Sequence, residues 1–215
     1  MKPASDARTK LVRTALRSMH RTSFENVGVA QITEKAQVPK GSFYYWFASK
    51  EALGAEVIDA FAEAGDKLRA ELLVADGRTP LQRLRDYFSH VIGLLESQDF
   101  KTGCLLGAMS LEMAGRSEPM RERLSQAFER WEGTLRGVLI EAASKNALPR
   151  GLDPGDAAAF ILNAWEGALL RMKAERSPQP LHVFMRSIFE QYLSVRPDAP
   201  EAGQSSISLQ KGRPI

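Results

Sequence analysis

The chain has 215 residues, of which 44% are hydrophobic, enough for one domain or two small ones with a real core. Its net charge of +3 is unevenly placed: residues 1–50 hold nine Lys/Arg against three Asp/Glu, and the remainder holds twenty against twenty-three. A basic head on a mildly acidic body fits a polyanion partner for the head alone. A single cysteine excludes an intrachain disulfide, the first fifteen residues carry no apolar signal core, and no stretch approaches ~18 uninterrupted apolar residues, so a cytoplasmic protein without a membrane span is expected.

Taken in order, the chain predicts helices and no strands. Over Asp6 to Arg21, Leu11, Ala15 and Met19 share one face, while Lys10, Arg13, Arg17 and Arg21 stack on another. That stripe reads equally as a phosphate-facing surface or as a solvated one. A short helix from Val29 sets Ile32 and Ala36 on one face and breaks at Gln37-Val38-Pro39. Pro39 drives Val38 out of the α region and opens a second short helix to Phe47. Two short helices about a tight turn form the helix-turn-helix layout, whose second helix enters a DNA major groove.

Ser49 then caps a long helix to about Val74, which at ~26 residues spans about 39 Å and links head to body. Further helices follow over Pro80 to Glu96, Cys104 to Ala114, Pro119 to Lys145, Pro154 to Met172 and Leu181 to Leu193, nine in all. The expected division is 1–48 for the head, 49–195 for the body and 196–215 for a disordered tail rich in Pro, Ala, Gly and Ser.

The last two helices are apolar on more than one face. Ile161, Trp165, Leu181, Phe184, Met185, Ile188, Phe189 and Tyr192 are therefore the candidate homodimer interface, although both faces could also be covered within one chain. His20, His90 and His182 show no ligand spacing, and no P-loop, Rossmann fingerprint or nucleophile elbow is present, so neither a metal nor a cofactor nor an enzyme is expected. Phe88, Met109, Met113, Trp131 and Trp165 suit the walls of a small-molecule cavity, while core packing accounts for each of them singly.

The run PKGSFYYWFASKEAL resembles the DNA-binding signature of TetR-family regulators, with Gly41, Tyr44, Phe47, Lys50 and Leu53 in register. The family often has Gly where Gln37 stands and His where Trp46 stands. The resemblance implies an all-α homodimer on double-stranded operator DNA, released by a small-molecule inducer. It also implies DNA contact by Gln31, Lys40, Gly41, Ser42, Tyr44, Tyr45 and Lys50, and a four-helix dimer bundle from the last two helices. Val38 to Tyr44 and Gly103-Cys104-Leu105 are further similar to the subgroup governing acrylate utilisation and N-ethylmaleimide reductase. That similarity implies an electrophile or an unsaturated acid as inducer, sensed near Cys104 and Lys173. From the residues alone, Cys104 reads as a buried hydrophobe, a reactive thiol activated at a helix N-terminus, or a plain pocket wall. The alternative function is an all-helical small-molecule carrier without operator binding.

Overall fold

The computed structural model describes residues 4–194, and the expected tail lies outside them. Among the described residues the chain forms α1 (Ala4–Arg21), α2 (Val29–Ala36), α3 (Lys40–Trp46), α4 (Lys50–Leu72), α5 (Pro80–Glu96), α6 (Leu105–Met113), α7 (Glu118–Ser144), α8 (Pro154–Glu175) and α9 (Gln179–Arg186). No strand interrupts them.

Local chemistry sets most of the boundaries. After α2, Gln37 adopts a left-handed conformation at φ 55. The Gln37 and Val38 amides then reach back to the Glu34 and Thr33 carbonyls, both at 3.0 Å. This closure satisfies the carbonyls at the end of α2 and directs the chain straight into α3. Pro39 sits one position earlier than expected, as the cap of α3 rather than its first residue. Ser49 Oγ accepts from the Ala52 amide at 3.2 Å and starts α4, and Thr79 and Gln82 form a reciprocal capping box at α5.

Packing follows the apolar stripes. Leu11, Ala15 and Met19 of α1, Ile32 of α2 and Phe43 of α3 close the head around a small core. That core continues without a break into α4 through Leu53, Val57 and Ile58. In the body, α4 lies along α7, α7 along α8, and α8 along α9. Buried Arg83 clamps this stack by donating to the Leu73 carbonyl at 2.6 Å and pairing with Glu141.

The chain end departs from a single regular helix. At Ser187–Tyr192 the α9 ladder widens into a π turn, and the Leu193 amide reaches the Ile188 carbonyl at 2.8 Å. A π turn rotates the residues after it relative to those before it. It puts Phe189 toward Phe88, at 6.3 Å between ring centroids, and Tyr192 against Phe160 at 4.7 Å.

Candidate DNA-reading surface and regulatory cavity

The surface of α3 is held from beneath. Phe43 is fully buried and its ring meets Phe47 at 5.6 Å, so the short helix cannot roll. Tyr44 and Tyr45 therefore stand outward, 62% and 77% exposed, an unusual outlay of aromatic surface unless another molecule covers it. Gln31, Lys40 and Gly41 are also exposed, and Ser42 is half-buried. Trp46 packs edge-on against Tyr45 at 4.6 Å and steadies its ring. Six of the seven candidate DNA contacts are thus wholly or partly exposed on α2 and α3.

Lys50 is placed differently. Its Nζ donates to the Glu25 carbonyl at 3.2 Å and lies over the Phe24 ring at 4.5 Å. An ammonium has three donors, so part of its capacity is committed to the loop between α1 and α2.

Besides the core shared with α4, two polar contacts tie the head to the α6 region. His20 of α1 contacts the Gly103 carbonyl at 2.6 Å. A carbonyl only accepts, so Nε2 carries the proton. Burial holds the His20 pKa below its ordinary value, the Gly103 bond opposes this, and nearby Lys173 adds to the lowering. At the second point the Glu25 amide donates to Glu112 Oε2 at 3.1 Å, and Arg116 pairs with Glu25. Both fastenings end on α6 or the turns that flank it, so a shift of α6 reaches the head directly.

The turn before α6 is also where the ligand-sized spaces meet. An inner cavity of about 130 Å³ is lined by Phe61, Leu68, Arg69, Tyr87, Trp131 and Trp165, among others. An outer groove of about 440 Å³ is lined by Leu111, Glu166, Leu170 and Lys173, among others. Gly103, Cys104 and Leu169 belong to both linings and form the partition between them.

Of the expected ligand contacts, then, Cys104, Trp131 and Trp165 reach the inner cavity and Lys173 reaches the outer groove. Phe88, Met109 and Met113 do not. Their side chains are packed in the core, Phe88 against Trp165 and Phe184 at 4.8 and 5.0 Å.

The thiol fits the unactivated readings of Cys104 rather than the activated one. Cys104 is the N-cap of α6, outside its first turn. Its pKa lies well above the ordinary thiol value: burial is the largest cause and the Glu166 charge the next, outweighing the bonds from the Gly107 and Leu106 amides. The helix terminus acts in the expected direction and loses. Cys104 is a protonated thiol whose neighbour, Glu166, is itself raised to about 7 by burial, with the thiol contact opposing. Glu166 Oε1 has no hydrogen-bond partner. Gly107 permits this arrangement, since a Cβ there would overlap Glu166 Oε2.

Arg69, Tyr87, Glu166 and His20 were absent from the expected site. Arg69 had a readable signal, since it continues the apolar stripe of Ala62 and Gly65 along α4. The others are assembled only by helix packing.

The dimer candidates divide as well. Ile161, Trp165 and Leu181 are 0%, 1% and 0% exposed within the single chain, so they are core and offer nothing to a partner. Phe184 and Ile188 show only a rim, and Met185, Phe189 and Tyr192 are half-buried. The exposed apolar residues on α8 and α9 are Phe160, Leu170 and Val183. Phe160, Val183, Phe184, Ile188 and Tyr192 edge an open groove of about 560 Å³. Among the described residues no group of His, Cys, Asp and Glu could hold a metal, and no helix is long and apolar enough to cross a membrane.

Comparison with known proteins agrees with this geometry. Residues 11–57 match the bacterial regulatory proteins of the tetR family, and residues 80–188 match the tetracyclin repressor-like C-terminal domain. The chain is 36% identical to the transcriptional repressor DhaR of Mycobacterium sp. (strain GP1), over 79% of this chain and 84% of that one. It is 31% identical to the transcriptional regulator AcuR of Cereibacter sphaeroides, over 89% and 87%. It is 28% identical to the transcriptional repressor NemR of Escherichia coli K12, over 82% and 88%. A crystal structure of a regulatory protein TetR from Rhodobacter sphaeroides superposes with a TM-score of 0.80 at 32% identity, covering 86% of this chain and 97% of that one. The reduced form of E. coli NemR gives 0.75 at 26%, covering 86% and 96%. With a helix-turn-helix head, a helical body and these relatives, the chain belongs to the TetR family of transcriptional regulators.

Proposed function

We propose that this regulator is a homodimeric repressor that leaves a palindromic operator when a small electrophile reaches Cys104. The observation that carries the reading is the position of Cys104, in the partition between two ligand-sized spaces and one residue from the carbonyl that His20 holds. The head at 1–48 reads DNA through Tyr44, Tyr45, Lys40 and Ser42, with Gln31 and the free donors of Lys50 on phosphate. The body at 49–195 pairs through the outer faces of α8 and α9, where Phe160 and Val183 lie exposed. The two recognition helices then sit about 34–36 Å apart, one turn of DNA. Inducer binding favours another spacing and weakens the operator complex by no more than its differential affinity for the two states.

The chemistry at Cys104 is conjugate addition. The sulfur bonds to the β-carbon of an electron-poor alkene, the C=C bond opens, and the thiol proton ends on the α-carbon. Glu166 stands beside the thiol.

One equivalent of N-ethylmaleimide is expected to add a single adduct at Cys104 and release DNA, while Cys104→Ser stays bound in the same gel shift. Equal release from both proteins removes covalent sensing and leaves a reversible inducer. The DNA used is the region flanking the gene.

A further inference from the structure

The last helical segment carries one residue more than its buried face needs. Leu181, Phe184 and Ile188 are buried at the spacing of an α-helix face. Continued in the same register, that face would next receive Gln191 and Tyr192. The structure buries Leu193 instead, at 1% exposed. In an α-helix, residues five apart point about 140° away from each other, so Ile188 and Leu193 would not share a face. The π turn at Ser187–Tyr192 removes the conflict. The Leu193 amide donates to the Ile188 carbonyl at 2.8 Å, five residues back, and both side chains stay inside. Such turns are rare and recur at functional sites.

The gain lies on the outside. Gln191 is exposed and Tyr192 half-buried, and both line the open groove along α8 and α9. The Tyr192 ring rests on Phe160 at 4.7 Å between centroids, and Phe160 is 49% exposed. Ala164 and Gly167 line the same groove, and a Cβ added at Gly167 would meet nothing within 4 Å. Aromatic rings beside small residues with open space above them make a self-complementary face. A two-fold pair needs such a face, since the rings of one copy can enter the space over the small residues of the other. The inside of the turn is committed as well: Phe189 meets Phe88 at 6.3 Å, and the Arg85 guanidinium lies over the Phe189 ring at 5.0 Å. These contacts hold the turn in one orientation.

We infer that the π turn is a positioning device for the pairing face: its extra residue turns Gln191 and Tyr192 out of the core and sets Tyr192 on Phe160, where the second copy docks. The inference rests on the pairing proposed above for the identity of the partner, and adds the element that shapes the surface.

Sedimentation of the full-length protein tests it. Deletion of Gln191 makes Leu193 the fourth residue after Ile188, so the same amide and carbonyl close an ordinary α turn. Tyr192 becomes the third, which swings its ring toward the Ile188 face and off Phe160. The dimer dissociation constant is expected to rise at least about tenfold. Gln191→Ala keeps the residue count and removes only the side chain, so it should stay within about threefold of wild type. A deletion variant paired as tightly as wild type, or Gln191→Ala as weak as the deletion, overturns the inference. Circular dichroism checks the fold of the deletion. If it unfolds, Tyr192→Ala decides: a dissociation constant raised at least about fivefold supports the inference, and an unchanged one overturns it. Val183→Glu separates the device from the pairing beneath it. Monomers from Val183→Glu beside a normally paired deletion variant overturn the positioning role and keep the pairing face. Dimers that persist in Val183→Glu put the interface elsewhere and remove both.

Discussion

The head and the body of this protein are incomplete in opposite ways. The α3 surface leaves aromatic rings in water, Tyr44 and Tyr45 above a rigid Phe43. The inner cavity leaves polar groups in hydrocarbon, Arg69 Nε and Trp131 Nε1 without acceptors. Each region departs from the rule that apolar groups go inside and polar groups stay wet or paired. The contrast teaches where to look for partners: on the surface of α3 for misplaced apolar area, and in the chamber for misplaced donors. The α6 segment joins the two, ending near Cys104 on one side and at Glu112 and Arg116, which hold Glu25, on the other.

The comparison breaks most sharply on the head. Tyr44→Ala with Tyr45→Ala should lower operator affinity by about 1–3 kcal/mol per contact, felt twice in a dimer, with normal folding by circular dichroism. Lys40→Ala should reduce the slope of log affinity against log salt by about 1 if Lys40 meets a phosphate, and leave it unchanged if it reads a base. Unaltered binding in all of these variants would mean that the exposed rings have another partner.

Next in size is the pairing face. Val183→Glu or Phe160→Glu puts charge on exposed apolar positions of α9 and α8 and should yield monomers in sedimentation. Leu181→Glu, by contrast, should unfold the chain, because Leu181 is core. Dimers that persist in both surface variants would move the interface elsewhere.

The body is sharpened by Glu166. Its pKa is about 7 in the folded protein, above the ordinary 4.5. The folded state therefore holds the proton longer than the unfolded one, and the associated stability is complete below pH 4.5 and lost as pH rises through about 7. Glu166→Gln should flatten that decline, gaining about 1–3 kcal/mol at pH 8 relative to wild type in thermal or urea unfolding. It should also quicken maleimide addition to Cys104 at that pH, since the neighbouring negative charge that raises the thiol pKa is gone. A slower addition would instead favour Glu166 as an obligatory proton acceptor.

The smallest expected effect lies in the turn between α2 and α3. Gln37 holds φ 55, where a side chain costs energy that glycine does not. Gln37→Gly should raise stability by about 0.5–1 kcal/mol while leaving the α3 face, and so operator affinity, as it was. A loss of stability would show that the Gln37 side chain compensates for the backbone.

These contrasts also explain what could be read in advance. The α1–α3 head was legible because its signals are local: one apolar stripe per helix, a proline at the break, aromatics in a short window. The nine α-helices of the described residues were placed for the same reason. Helix contents were legible and helix neighbours were not. Arg69, Tyr87, Trp131 and Trp165 come from α4, α5, α7 and α8, and nothing in any one segment says that the four meet. The buried faces of α8 and α9 were misjudged for a related reason. Ile161 and Trp165 of α8 and Leu181 of α9 are as apolar as a dimer interface requires, but neighbouring helices of the same chain cover them first. Cys104 shows a third limit. The dipole at its helix terminus could be anticipated from position, but the opposing desolvation and the Glu166 charge come from burial and from α8.

The hydrogen bond from His20 to Gly103 has a consequence for acid tolerance. A base whose folded pKa is lowered takes up its proton more readily once the chain has opened. Around neutrality and above, the ring is uncharged and the bond holds without electrostatic strain. As pH falls below 6.5, the opened form gains the proton first, and the stability that the neutral ring contributes drains away. Phe61 lies edge-on to the ring at 5.5 Å and Lys173 is nearby, so neither neighbour offers an anion to welcome a charged imidazole. Acidification therefore loosens the protein at the seam between α1 and the turn before α6.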